Sequence, residues 1–325
     1  MKFRQLLLAV AALALTMGAQ SQSHAQTYPN RPIRIISPFP PGGGNDVLAR
    51  IIGAKLADRV GASVVIENRG GAGGVIGISA LAKSTPDGYA LVLSGSTLAV
   101  APTLYKKPPF DANKDVAPVA LVAHYPFLLV ATASLPAKSV ADLIKLAKEK
   151  PGEIMYASPG ASTSQHLFTE LLKVQTGMDL RHIPYNGTAP AVVDIVAGRV
   201  ALMFAAAAPS IPLLKEGTLR ALGVSSAARL AELPDVPPIA DAVPGFDESN
   251  WSIILAPAGT PPEIVAKLHD AFKVVMAMPE VAKQLANIGM IPIISPSPAE
   301  LKTFVSTAVV RWGKIVQQAG IAGAH

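Results

Sequence analysis

Residues 33–46 read IRIISPFPPGGGND, in which a short β-rich run leads through a proline- and glycine-rich turn into a helix. Asn45 or Asp46 is the expected N-cap of that helix, since both residue types favour this position. Apolar residues then recur at helical spacing, at Val47, Leu48, Ile51, Ile52 and Leu56. A strand that turns directly into a helix is the repeating unit of an α/β fold.

The same alternation of strand and helix continues along the chain. Further strands are predicted at 63–66, 89–93, 127–131, 154–157, 180–183, 202–204, 219–224 and 253–256. Helices are predicted up to residue 81, at 140–148, around 167–172, and at 261–276, 279–288 and 298–318. This pattern indicates βαβ units, parallel sheets and the α/β class. The proline-rich stretch 233–244 is the most loop-like region and is either a domain boundary or a crossing beside a hinge.

Length and composition favour two folded domains. The chain has 325 residues, 50% of them hydrophobic, so a sizeable core is available. Its formal net charge of +6 is spread along the chain without a basic run, which argues against nucleic acid binding and is compatible with an anionic small ligand. The chain has no cysteine, which excludes disulfides, thiol nucleophiles and cysteine-based metal sites.

The first 25 residues have the pattern of a secretory signal peptide. Lys2 and Arg4 precede ten apolar residues, 6–15, and Ser23-His24-Ala25 is a suitable cleavage site. The apolar run is about half as long as a membrane span. We therefore predict an exported protein, with a mature chain that begins near Gln26.

Two glycine-rich turns between strand and helix carry the functional signal, at 39–46 and at 158–166, which reads SPGASTSQH. Ligands of open α/β sheets bind beyond the carboxyl ends of strands, and free N–H groups at a helix start attract anions. The first turn lacks the Gly-Lys-Ser/Thr ending of a nucleotide-binding P-loop. Two such turns facing each other suit a ligand with an anionic group at each end. The alternative is that the glycines only make tight turns.

Motifs across nearly the whole mature chain resemble one family. They are Tyr28-Pro29, Arg31-Pro32-Ile33, Pro38-Phe39-Pro40-Pro41-Gly42-Gly43-Gly44 with Asp46, Glu67-Asn68-Arg69-Gly70-Gly71-Ala72-Gly73-Gly74, Thr85-Pro86-Asp87-Gly88-Tyr89, Tyr156-Ala157-Ser158, Gln165-His166-Leu167, Pro184-Tyr185-Asn186-Gly187, Trp251 and Ala256-Pro257-Ala258-Gly259-Thr260-Pro261. In order and spacing, these motifs are similar to the Bug-type extracytoplasmic solute-binding proteins of tripartite tricarboxylate transport systems.

The resemblance implies an α/β, two-lobe periplasmic binding protein of the Venus-flytrap, type II-like kind, each lobe a mainly parallel sheet flanked by helices. It places one lobe at 26–124 and 251–325 and the other at 125–250. It further implies a monomer without a cofactor or catalytic activity that captures a small carboxylate, most simply a dicarboxylate, and docks on a small and a large membrane subunit of a transporter. A ligand sensor that feeds a signalling system has the same sequence features.

The resemblance implies that two turns bind the ligand, and these match the two glycine-rich turns identified from the residues alone. The candidate ligand-binding residues in them are Phe39, Pro41, Gly42, Gly43, Gly44, Asn45, Asp46, Ser158, Gly160, Ser162, Thr163, Gln165 and His166. Strand ends add Ser94, Thr97, Tyr185, Asn186, Ala205 and Ala206. Many relatives carry a polar residue, often Asp, where this chain has Ala205. We hypothesise that the alanines accommodate a longer or less polar ligand; the alternative is that they only pack a strand end.

Three other functions receive little support. A dinucleotide enzyme is disfavoured because Gly71, Gly73 and Gly77 have the spacing G-x-G-x-x-x-G. A serine hydrolase lacks the G-x-S-x-G elbow, and the serines near His166 have the pattern of a helix cap. No two histidines are paired at metal-binding spacing, and the carboxylates are scattered.

Overall fold

The computed structural model describes residues 28–324, and the predicted signal peptide at 1–25 lies outside them. From Arg31 onward the chain forms one compact unit. Its strands are β1 (Ile33–Ser37), β2 (Val64–Asn68), β3 (Ala90–Ser94), β4 (Val116–Tyr125), β5 (Phe127–Thr132), β6 (Met155–Ser158), β7 (Arg181–Pro184), β8 (Leu202–Ala206), β9 (Leu219–Val224), β10 (Asn250–Pro257) and β11 (Ile291–Pro292).

The helices alternate with these strands over most of the chain. They are α1 (Gly44–Val60), α2 (Val75–Ala82), α3 (Thr97–Leu104), α4 (Val140–Glu149), α5 (Ser164–Thr176), α6 (Thr188–Val196), α7 (Ala207–Lys215), α8 (Pro262–Met276), α9 (Pro279–Ala286) and α10 (Pro298–Gln318). Glycines in the left-handed region end α1 at Gly61 and α5 at Gly177. A capping box of Ser297 and Glu300 begins α10. Within residues 28–324 no helix is both long and apolar enough to cross a membrane.

The strands form two separate mixed sheets. The first has the order β11–β4–β10–β3–β1–β2 and the second the order β7–β6–β8–β5–β9. β1, β2 and β3 pair in parallel, as do β7, β6 and β8, so the expected parallel pairing applies to the βα units. The remaining pairs are antiparallel, so both sheets are mixed and not mainly parallel as expected. Each antiparallel pair includes β4, β5 or β10, the strands beside the places where the chain changes sheet.

The chain passes between the sheets at two neighbouring places. Pro126 alone separates β4 of the first sheet from β5 of the second, and the chain returns between β9 and β10. The Ser225 hydroxyl joins the two crossings, because it accepts from the Phe127 N–H at 2.9 Å and donates to the Glu248 carbonyl at 2.6 Å. The lobe boundaries stay a prediction; Tyr125 and Asn250, which lie beside them, pair within the first sheet.

The fold differs from the sequence-based prediction at β4, which no predicted strand covers. Pro118 interrupts its run of apolar residues, and proline usually marks an edge or the absence of a strand. In the sheet, β4 lies between β10 and β11 and is almost entirely buried. Two register shifts in its pairing with β10, one of them at Pro118, accommodate the irregularity.

The last helix binds a buried carboxylate near the crossings. The Arg311 guanidinium of α10 forms two hydrogen bonds with Glu248, one of them 3.1 Å long. Glu248 is only 4% exposed, and burial raises its carboxyl pKa although Arg311 opposes the shift. The neighbouring Trp312 stacks on Phe168 of α5, with 5.9 Å between ring centroids. The end of the chain therefore packs against the helix that begins at the second glycine-rich turn.

Substitution of Arg311 should destabilise the protein in a pH-dependent way. Arg311→Met leaves a buried carboxylate without its counterion, so we expect the free energy of unfolding to fall by about 2 kcal/mol at pH 8. The loss should shrink toward pH 5. Because the folded-state pKa of Glu248 is raised, its stabilising contribution is complete below the unfolded-state pKa and is lost as the pH rises through the folded-state value. Urea denaturation at both pH values measures this.

The double variant Glu248→Gln/Arg311→Met is the control, since it removes the buried charge as well as the guanidinium. It should regain most of the stability at pH 8. An equal loss in single and double variants, or at both pH values, would contradict the prediction.

Candidate functional site

The first glycine-rich turn is fastened to the end of β3. The Ser37 hydroxyl, at the end of β1, donates to Asn45 Oδ1 at 3.0 Å, and Asn45 Nδ2 donates to the Leu93 carbonyl at 3.2 Å. These bonds place the N-terminus of α1 beside the carboxyl ends of two parallel strands. The N-cap of α1 is Gly43 and not the predicted Asn45 or Asp46, so no side chain is offered to the first helical N–H groups.

Asp46 shapes this turn through its carboxylate. The carboxylate accepts from the Gly42 N–H at 2.9 Å, from Asn68 Nδ2 at 2.8 Å and from Arg50 Nε at 3.0 Å. Burial alone would raise its pKa, but the hydrogen bonds from Arg50, Gly42 and Asn68 hold the pKa below its usual value. Its negative charge is therefore already paired within the first lobe.

The third strand ends in a buried hydroxyl that lacks a partner. Ser94, at the end of β3, is 1% exposed. Among the buried side-chain nitrogen and oxygen atoms of residues 28–324, Ser94 Oγ alone makes no hydrogen bond. An unpaired buried polar group of this kind destabilises a protein by about 1–3 kcal/mol. Thr97, three residues on, donates its hydroxyl to the Gly73 carbonyl at 2.7 Å.

The second glycine-rich turn, 158–166, is braced from its own sheet. Ser158 Oγ lies 2.7 Å from His182 Nε2 and 3.2 Å from the Gly160 nitrogen, and Thr163 Oγ1 donates to the Gly160 carbonyl at 2.7 Å. Thr163 is the N-cap of α5, yet its hydroxyl does not cap the helix. The first N–H groups of α5 are thus free of a side-chain cap, like those of α1.

The two lobes meet backbone to backbone at Gly73 and Gly160. A Cβ atom on Gly160 would lie 2.7 Å from Gly73 Cα, and one on Gly73 would lie 2.5 Å from Ser162 Oγ. Both glycines also have positive φ, +63° and +147°. The Ser162 hydroxyl donates to the Gly73 carbonyl at 3.2 Å. No side chain larger than hydrogen fits at either position, so this contact depends on two glycines.

A second contact between the lobes runs to the crossings. Ser164 donates to Asn250 Oδ1, so its oxygen accepts from Ser96 of the first lobe, 2.7 Å away. Asn250 Nδ2 in turn donates to the Tyr125 hydroxyl. All four side chains are buried. The chain of bonds connects the starts of α3 and α5 with the two residues at which the chain changes sheet.

A third region of contact lies at the start of α7. Ala206 is its N-cap and provides no side-chain cap. A Cβ atom on Gly289 would lie 3.4 Å from the Ala208 nitrogen, and one on Gly44 would lie 3.3 Å from Met290 Cε. The segment Gly289-Met290 therefore lies between the N-terminal ends of α1 and α7.

The other predicted site residues fall into two groups. Gly42, Gly43, Gly44 and Asn45 lie in the first turn; Ser158, Gly160, Ser162 and Thr163 are buried in the second, with Gln165 half-buried beside them. Phe39 packs towards Gly74, and Pro41 and Asn186 are exposed.

Three predicted residues direct their side chains into their own lobe. The Tyr185 hydroxyl donates to Asp194 on α6 at 2.7 Å, and partial desolvation together with Asp194 raises the pKa of Tyr185 to about 12. His166 Nδ1 donates to the Ala161 carbonyl, so its ring lies inside the lobe. Ala205 belongs to the apolar cluster of the second sheet, whereas Ala206 is half-buried.

Sequence reasoning did not identify several residues of the site, namely Gly73, Ser96, Ser164, His182 and Asn250. Ser164 lies within the second turn, and Gly73 is part of the motif Gly70-Gly71-Ala72-Gly73-Gly74, so their positions carried a signal. His182 and Asn250 carried none, because they reach the site only through strand pairing. Within residues 28–324, no group of three or more His, Asp and Glu side chains is arranged to hold a metal ion.

Solved structures of similar proteins share this fold over almost their full length. Rpa4515 of R. palustris, solved with adipate, is 37% identical with a TM-score of 0.84, covering 91% of this chain and 99% of the relative. The periplasmic binding protein BugD is 31% identical with a TM-score of 0.83 and the same coverage. MatC of Rhodopseudomonas palustris, solved with malate, is 31% identical with a TM-score of 0.82, covering 89% and 100%.

The family profile described as "Tripartite tricarboxylate transporter family receptor" matches residues 48–321. The resemblance predicted from the motifs is thereby confirmed, as are the α/β class and the two-lobe architecture. The chain belongs to the tripartite tricarboxylate transporter receptor family, whose members are periplasmic solute-binding proteins and not enzymes.

Proposed function

We propose that this protein captures a small dicarboxylate between its two lobes in the periplasm and delivers it to the membrane subunits of a tripartite tricarboxylate transporter. The observation that carries the proposal is the combination of two uncapped helix N-termini with the unpaired buried hydroxyl of Ser94. Helix N-termini bind anions through N–H groups and the helix dipole. Export of the mature chain, its lobe boundaries at 124/125 and 250/251 and a monomeric state belong to the same proposal.

Two features support a ligand with two anionic groups. The turns before α1 and α5 follow strands of different sheets, so each lobe offers one set of N–H donors. The solved relatives Rpa4515 and MatC carry adipate and malate, both of which have two carboxylates. A ligand that contacts both lobes stabilises the closed form, since only that form makes both sets of contacts.

The start of α7 supports a role in ligand length. Its N-cap, Ala206, leaves a third helix N-terminus without a side-chain cap, near the segment that also touches Gly44 of α1. A carboxylate side chain at this position would bind those N–H groups itself. Alanine there leaves these N–H groups available to the ligand. Because Ala205 is buried, the hypothesis of a longer ligand body now rests on Ala206.

Carboxylates should raise the melting temperature of the mature protein after bound ligand has been removed by unfolding and refolding. The panel is succinate, malate, glutarate, adipate, citrate, aspartate, glutamate and benzoate, with glucose and NAD as controls. A ligand at 100 times its Kd adds about 2.7 kcal/mol to the free energy of unfolding, a shift that thermal denaturation detects. Folded protein that responds to none of the acids would contradict the proposed function.

Removal of the Ser94 hydroxyl should weaken binding without destabilising the free protein. Ser94→Ala eliminates an unpaired buried group, so the unfolding free energy without ligand should stay the same or rise by about 1 kcal/mol. Affinity for the best acid of the panel, measured by calorimetry, should fall by about tenfold or more, since a hydrogen bond to a charged group is lost. Ser79→Ala is the control, because the Ser79 hydroxyl donates to Val75 within α2. Unchanged affinity of Ser94→Ala would contradict the role of Ser94.

A carboxylate at Ala206 should change the preference for ligand length. Ala206→Asp caps α7 from within the chain, which should add about 1 kcal/mol of stability and move the preference in the panel from adipate towards malate and succinate. Met278→Asp is the matched control, because Met278 is a half-buried and equally uncapped N-cap, that of α9. The same affinity ranking in Ala206→Asp and wild type would count against the hypothesis.

A further inference from the structure

Three stacked rings lie directly behind the second glycine-rich turn. Tyr156 on β6 and His182 on β7 are neighbours in the parallel sheet, with ring centroids 4.8 Å apart. His166 of α5 stacks on His182 at 4.1 Å, with 19° between the ring planes, and its ring centroid lies 6.2 Å from that of Tyr156. His166 is 3% exposed. Stacking to this depth holds each ring in one orientation, so each imidazole nitrogen points in a fixed direction.

The two imidazoles are hydrogen-bonded to the turn at different residues. His182 Nε2 lies 2.7 Å from Ser158 Oγ, and the same oxygen accepts from the Gly160 N–H at 3.2 Å. His166 Nδ1 donates to the carbonyl of Ala161. Because a carbonyl only accepts, Nδ1 carries the proton of His166. The backbone on both sides of Gly160 is thus tied to one stack of rings.

A buried carboxylate is hydrogen-bonded to Tyr156 of the stack. Glu170, one helical turn after His166, accepts from the Tyr156 hydroxyl and from Lys173 Nζ at 2.9 Å, and its Oε1 lies 3.9 Å from His166 Nε2. Burial and the charge of Glu170 raise the pKa of Tyr156, so its hydroxyl remains a donor. Hydrogen bonds within the second lobe therefore hold the stacked rings in place.

This support matters because the turn has little tolerance for displacement. Gly160 presses on the backbone of Gly73, and the N–H groups of α5 follow four residues later. A binding site needs its donors within about 0.5 Å of their working positions, held by a second layer of hydrogen bonds.

We propose that His166 and His182 are positioning residues of the ligand site: their imidazoles hold the turn 158–164 in the conformation that presents the N–H groups of α5 to the ligand. The proposal rests on the proposed function for its ligand. It assigns both histidines a role without ligand contact, in contrast to the sequence-based expectation that His166 binds the ligand.

Paired variants separate the hydrogen bonds from the stacking. His182→Phe and His166→Phe keep an aromatic ring and remove the nitrogens. His182→Gln restores a polar atom near the position of Nε2, and His166→Asn restores one near that of Nδ1. With adipate as the probe, we expect Kd to rise about tenfold in the Phe variants, as for the loss of one ordinary hydrogen bond, and to return to within about threefold of wild type in His182→Gln and His166→Asn.

His269→Phe is the matched control. His269 is also a buried histidine whose Nδ1 bonds a backbone carbonyl, that of Val119 at 2.8 Å, but it lies on α8 against β4. This variant should lower the melting temperature and keep the wild-type Kd. Equal loss of affinity in His269→Phe, wild-type affinity in the Phe variants, or no recovery in the Gln and Asn variants would each overturn the proposal.

Hydrogen exchange separates failure of this inference from failure of the proposed function. Without any ligand, the amides of residues 160–164 should exchange faster in His182→Phe and His166→Phe than in wild type, and at the wild-type rate in His182→Gln and His166→Asn. If wild-type protein binds neither adipate nor another acid of the panel, the proposed function fails and the exchange rates alone decide on the histidines. Unchanged exchange in both Phe variants would overturn their positioning role.

Discussion

The approach of two backbones at Gly73 and Gly160 is the constraint on which the site depends. Two loops from different lobes come together there with no side chain between them, and a single methyl group at either position would overlap the other lobe. The hydroxyls of Thr97 and Ser162 then reach the Gly73 carbonyl. Because the contact is made by main chain, it brings the starts of α3 and α5 close enough for Ser96 and Ser164 to bond.

The polar side chains of this site act mainly on the turns themselves. Asp46 draws the Gly42 N–H, Arg50 and Asn68 together, and His166 and His182 hold the backbone around Gly160. The first N–H groups of α1 and α5 have no side-chain caps. This arrangement suits recognition of carboxylates by backbone N–H groups. The N–H groups bind the anion, and the side chains that contact the turns fix the direction of those N–H groups.

The local sequence pattern predicted helices and strands well where a residue's conformation depends on its neighbours in sequence. The helices α8 and α10 begin beside prolines and were predicted to within a residue or so, at 261–276 and 298–318. Both glycine-rich turns were identified because glycines mark them directly, whereas the predicted N-cap of α1, Asn45 or Asp46, was wrong because both residues lie within the helix. β4 was missed because Pro118 breaks its local pattern, and only burial between β10 and β11 makes it a strand. The alternation of strands and helices predicted the parallel pairing. The antiparallel pairing depends on where the chain changes sheet.

The sequence by itself determined the α/β class, the two turns that begin α1 and α5, and the family, because these rest on short-range spacing and on the order of motifs. Only the tertiary structure decided which atoms each side chain meets. His182 reaches Ser158 across 24 residues and Asn250 reaches Ser164 across 86, contacts that depend on strand pairing and chain crossing. Helical spacing located His166 in the first turn of α5, but the position of β7 turned its ring inward. Local sequence specifies backbone conformation, and packing between distant segments selects the direction of a side chain.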